Sequence, residues 1–182
     1  MSNVVRSFAD ALALALPTAP TPTNPANDNV RRRLEDFRSA LTTVDHTVTP
    51  AVDPGSLPAE AQAWLQSAID GAQGTPGIVT AARNAATAGS WYQIYESGPA
   101  SGHSGPEPHE VLTGGMFAAQ MIGFRGLVTS DTLLAGLFLL GPGLHYPLHQ
   151  HPATEIYFGV SGEICIQHGL DGEPQALDPG DV

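Results

Sequence analysis

At Gly89 the hydrophobic period of the chain changes, and that change constrains the fold more than any other feature of the sequence. Before it, apolar side chains recur at helical spacing. Leu34, Phe37 and Leu41 share one face of a segment over residues 30–42, which Asp28 or Asn29 can cap. Residues 59–72 bring Ala61, Trp64, Leu65 and Ile69 together behind Ser56 as N-cap, with Pro58 in the first turn. Thr75 and Pro76 repeat the device for a helix that runs from residue 77 and stops at Gly89. After Gly89 the runs are short, aromatic and β-branched: residues 91–95, 116–122, 132–140, 155–160 and 163–168, punctuated by glycine and proline. Short strands separated by turns predict a sandwich or barrel. The expected class is mainly β, with a helical region at 30–89 ahead of a strand-rich domain at 90–182.

Residues 1–29 read as an appendage. The Ala/Leu run containing Leu12, Leu14 and Leu16 follows Asp10 and is shorter than the apolar centre of a secretory signal. The expectation is a short helix, then a flexible Pro/Thr/Asn tether over 17–29, in a cytoplasmic protein. No apolar run approaches the ~20 residues that cross a bilayer, so no membrane partner is expected.

Charge narrows the partners further. The seven basic side chains are all arginine, against 18 acidic ones, for a formal net charge of −11. A protein that grips nucleic acid needs a basic stripe, so that class is excluded. Arg31, Arg32 and Arg33 share a segment with Glu35, Asp36 and Arg38, which predicts a solvated, salt-bridged face. The single cysteine, Cys165, excludes an intrachain disulfide and a multi-cysteine zinc site. Between Ile164 and Ile166 it is expected to be a small buried side chain. His103 and His109 lie in a long polar loop at 97–110 and are weak evidence for a site.

The chemistry concentrates at residues 139–163. His149 and His151 are one residue apart, so an extended backbone points both imidazoles to one side. Pro152 and Ala153 turn the chain, Glu155 follows, and Tyr157 shares its face. Two imidazoles and a carboxylate hold Zn, Fe, Mn or Ni while leaving positions open for substrate. Singly, each residue has an ordinary structural use: a hydrogen-bonded histidine, an exposed Glu155, a core Tyr157. Their joint spacing favours the site.

That spacing resembles the first motif of the cupins: Gly143, five residues, His149-Gln150-His151, three residues, Glu155, six residues, Gly162. The run 177–181, Leu-Asp-Pro-Gly-Asp, resembles the start of their second motif. The resemblance implies a single cupin barrel (a double-stranded β-helix or jelly roll) at 90–182, with a further histidine ligand expected beyond Val182 and the barrel truncated before it. His145-Tyr146-Pro147 ahead of the histidines, then Glu155-Ile156-Tyr157, looks like the bacterial cupin-type dimethylsulfoniopropionate lyases. The implied activity is metal-dependent β-elimination of dimethylsulfoniopropionate to acrylate and dimethyl sulfide. The implied metal ligands are His149, His151 and Glu155, and Tyr157 or Tyr146 is the implied general base. Trp91, Tyr92 and Tyr95 either line a pocket or fill the aromatic core. Residues 91–182 carry ten acidic side chains against Arg125 alone, a field that favours a small zwitterion with a cationic end. A dioxygenase or isomerase on the same ligands, and a non-catalytic cupin binding module, are the alternatives. A homodimer is left open.

Overall fold

The computed structural model describes residues 2–17, 25–45, 47, 57–95, 114–146 and 152–182. Among these, four helices precede five short strands: α1 (Ser2–Ala15), α2 (Pro25–Thr43), α3 (Ala59–Asp70), α4 (Pro76–Ala88), β1 (Trp91–Gln93), β2 (Met116–Ile122), β3 (Ala135–Leu140), β4 (Ile164–Ile166) and β5 (Gln175–Leu177). The helical region follows its apolar spacing and its caps. Thr75 caps α4, its hydroxyl accepting from the Ile78 N–H at 3.5 Å, with proline at the start of the helix. At α3 the N-cap is Pro58, without a side-chain cap bond, and Ser56 lies outside the described residues. α2 begins at Pro25, earlier than its apolar pattern suggested, so Asp28 sits inside the first turn and pairs with Arg31 at 3.3 Å. Arg31 also meets Glu35 at 3.1 Å, the exposed ion-pair face expected of this helix.

The N-terminal helix is not an appendage. Val5, Phe8, Ala9 and Ala13 of α1 are buried in the common core, together with Leu41 of α2 and Ala81 and Ala85 of α4. Arg38 explains the docking. Its guanidinium donates to the carbonyls of Ala13, Leu16 and Pro17 at 3.0–3.1 Å, satisfying the C-terminal end of α1 with a cation where the helix dipole is negative. The tether expected over 17–29 is shorter than its composition suggests, because α2 already begins at Pro25.

β1, β2 and β3 form one antiparallel sheet in that order, and β4 and β5 form a separate antiparallel pair. Cross-strand register sets two faces. Trp91, Ala119 and Leu137 fall in line, as do Phe117 and Leu139, on the side that packs against α1 and α4. Tyr92, Ala118 and Phe138 fall in line on the other side. Among the described residues helix exceeds strand and the strands close no barrel, so the mainly β expectation becomes a mixed helix-and-antiparallel-sheet architecture. Residues 155–160, expected as a strand, form none and join no ladder. Cys165 is exposed, not buried. On the two-stranded β4–β5 pair, alternation turns Ile164 and Ile166 inward and leaves the thiol on the open side.

Candidate active site

The site assembles on the sheet face away from the helices. After β3 the chain makes a tight turn in which Gly141 donates to the Gly115 carbonyl at 2.8 Å and Leu144 to the Gly141 carbonyl at 3.2 Å. Gly141 is needed there because a Cβ would lie 2.9 Å from the Trp64 ring of α3. The turn delivers Tyr146. The segment carrying Glu155 and Tyr157 is fixed at its far end: Gln73 donates to the Val160 carbonyl at 2.9 Å, and Gly159 donates to the Asp181 carbonyl at 3.0 Å. Ile156 packs against the core, while its neighbours Glu155 and Tyr157 are exposed and bonded to each other. The two glycines that bracket this stretch, Gly143 (φ 71°) and Gly162 (φ 81°), adopt the left-handed conformation that side chains disfavour.

Three tyrosines and a carboxylate meet here. The Tyr95 and Tyr146 hydroxyls are 3.0 Å apart, and their rings pack edge to face with centroids 6.2 Å apart. Phe138 of β3 flanks Tyr146 at 6.5 Å. Tyr157 donates its hydroxyl to Glu155 Oε2 at 2.7 Å and keeps 40% of its surface exposed. Burial pushes the Tyr146 phenol well above its ordinary range, and the hydrogen bond with Tyr95 adds to this, with repulsion from Tyr95, Tyr157 and Glu155 behind it. The Tyr157 phenol is raised in the same direction, first by partial burial and then by the bond to Glu155. Without a cation nearby, both are protonated at neutral pH.

Of the expected metal ligands, Glu155 is in this group; His149 and His151 lie outside the described residues, as do His103 and His109. Among the described residues no three histidine, cysteine, aspartate or glutamate side chains come together to hold a metal ion. The donor set of two imidazoles and a carboxylate fits a borderline divalent ion, and Glu155 offers an exposed carboxylate on the tyrosine side of its segment.

A model of the dimethylsulfoniopropionate lyase family matches residues 30–179. The chain belongs to that family. The matched span takes in Tyr95, Tyr146, Glu155 and Tyr157 as well as the two histidines. A curated relative, the dimethylsulfoniopropionate lyase DddQ of Ruegeria pomeroyi, is 45% identical over 62 residues, 34% of this chain. The match spans 30% of that relative's length. No solved structure gives a significant match.

Within this member of the lyase family, the three aromatic residues of β1 and its end divide between the two uses left open for them. Trp91 is core: its indole N–H donates to the Ala86 carbonyl at 3.0 Å. Tyr92 is a structural tyrosine. Its hydroxyl accepts from the buried Gln120 amide at 2.6 Å, and the Arg125 guanidinium stacks 4.7 Å from its ring. Gln120 also accepts from the Arg125 N–H at 3.0 Å, so this buried amide anchors the turn after β2. Tyr95 alone joins the site. The sequence offered a cue in its aromatic cluster but none for its partner, because 51 positions separate it from Tyr146.

Proposed function

We propose that the protein is a metal-dependent dimethylsulfoniopropionate lyase that splits its substrate into acrylate and dimethyl sulfide. The observation that carries this reading is the pairing of Tyr157 with Glu155 beside the Tyr146–Tyr95 pair, in a chain of the lyase family. The 62-residue likeness to DddQ supports the same substrate. In the same reading, β1–β5 are parts of a single cupin barrel.

The reaction needs a base at the carbon next to the carboxylate. As that proton leaves, its electron pair forms the C=C bond and the C–S bond breaks, so the sulfur departs as neutral dimethyl sulfide. His149, His151 and Glu155 would hold a divalent cation (Zn, Fe, Mn or Ni), which when bound would supply Lewis-acid stabilisation of the enolate-like charge and would favour an ionised phenol nearby. Tyr157 is the base in this proposal: it sits two residues from Glu155 on the same face, and its proton is already directed at a carboxylate. Tyr146, held by Tyr95, is the second candidate. The acidic excess of residues 91–182 favours the sulfonium end of a small zwitterion.

Headspace measurement of dimethyl sulfide from the metal-loaded protein tests the proposal. Release that a chelator abolishes is expected, without oxygen uptake. Release no greater than that of Tyr157→Phe sinks it, and substrate-dependent oxygen uptake transfers the site to a dioxygenase.

A further inference from the structure

We propose that Tyr95 is a positioning residue that fixes the hydroxyl of Tyr146. Its value to catalysis rests on the lyase reading; the contact itself does not. Tyr146 follows the turn after β3, and its backbone alone leaves the phenol free to rotate about its side-chain bonds. Three contacts remove that freedom. The Tyr95 hydroxyl lies 3.0 Å from its own, the edge-to-face packing of the two rings sets its plane, and Phe138 closes the other side.

Tyr95 is itself well held. The Ile94 N–H donates to the Met116 carbonyl at 3.0 Å, which carries the β1–β2 pairing one residue past the end of β1. The Gln93 side chain then donates to the Tyr95 carbonyl. Tyr95 thus stands one residue beyond a sheet rung, while Tyr146 follows the turn after β3. The partner tied to the sheet orients the one outside it. Such a hydroxyl pair is worth more in a partly buried site than in water, because both groups have lost solvent partners.

The test uses the full chain with Tyr95→Phe, Tyr146→Phe and the double variant. Tyr95→Phe keeps the ring and its packing and removes only the hydroxyl. If Tyr95 acts through Tyr146, kcat for dimethyl sulfide release falls by about three- to tenfold, the span of one neutral hydrogen bond, with KM little changed. The same substitution then has no further effect in the Tyr146→Phe background. Multiplying effects would overturn the proposal.

A second readout needs no activity. The chain has four tyrosines, so carbon-13 labelling at the phenol Cζ gives a spectrum that single phenylalanine substitutions assign. Tyr95→Phe is expected to move the Tyr146 resonance, and Tyr146→Phe to move that of Tyr95; stationary resonances refute the contact. A wild-type protein that releases no dimethyl sulfide sinks the lyase reading, while the resonances still decide whether the two hydroxyls are joined.

Discussion

The two faces of the β1–β2–β3 sheet are built from residues one position apart and behave as different materials. Toward the helices, Phe117, Ala119 and Leu139 are buried and carry no polar side-chain atom; they meet α1 and α4 in a continuous core. Toward the other side, Tyr92 and Phe138 stand in the same rungs, and the tyrosine hydroxyls gather beyond them. Burial rewards the first face in proportion to apolar area. The second keeps solvent-accessible phenols and a carboxylate, which contribute little to stability and supply the chemistry. A short sheet separates the two jobs through the alternation of its side chains.

Two substitutions set that contrast at its widest. Tyr157→Phe is expected to reduce dimethyl sulfide release by about 10²-fold or more, the usual worth of a positioned general base. It should leave the thermal unfolding midpoint nearly unchanged, because Tyr157 is 40% exposed. Phe117→Ala is expected to do the reverse. Its side chain is 2% exposed in the core, so truncation costs about 3–5 kcal/mol in a urea titration. Activity per folded molecule should persist. If Phe117→Ala removes activity from protein that is still folded, the two faces are coupled and the division fails.

The helices were legible because their apolar spacing and caps are local signals. Leu34, Phe37 and Leu41 marked one face, and Thr75 marked a cap that the structure forms. β2 was legible to the residue, since its apolar run is bounded by glycines. What failed to show was everything decided by contacts distant in sequence. Arg38 reaches carbonyls 21 to 25 residues away, and that contact turns an apparent appendage into part of the core. Residues 155–160 have strand composition, yet their backbone bonds go to the α3–α4 turn and the Asp181 turn and not to a ladder. In the site, Glu155 and Tyr157 were legible as an i, i+2 pair. The partner of Tyr146 was not, because no local pattern links two hydroxyls 51 positions apart.

Gly136 tests whether the two faces depend on the same register. It pairs with Gln120, where the β2–β3 ladder shifts at a bulge. A Cβ there would collide with the Ala119 carbonyl oxygen and lie 2.8 Å from the Gln120 Cα. Backbone cannot move aside as a side chain can, so Gly136→Ala should cost about 1–3 kcal/mol by overpacking. Because Ala119 belongs to the helix side and Gln120 holds Tyr92 on the other, both stability and dimethyl sulfide release should fall. Loss of stability alone would show that the site tolerates a displaced β3.

The smallest effect separates the faces by pH. In metal-free protein the folded-state pKa values of Tyr146 and Tyr157 are raised, chiefly by burial. An unfolded phenol ionises near pH 10. Above that pH the unfolded chain loses protons that the folded chain retains, so stability is complete below about pH 10 and declines as pH rises toward the folded values. Tyr157→Phe removes one contributor and should make the alkaline decline shallower while leaving the neutral plateau in place. Phe117→Ala acts on the other face and should lower the whole curve without changing its alkaline slope. Urea midpoints measured from neutral to alkaline pH distinguish the two behaviours. A decline equally steep in wild type and Tyr157→Phe would mean that partial burial and Glu155 do not hold this phenol neutral, and the electrostatic distinction between the faces would then rest on Tyr146 alone.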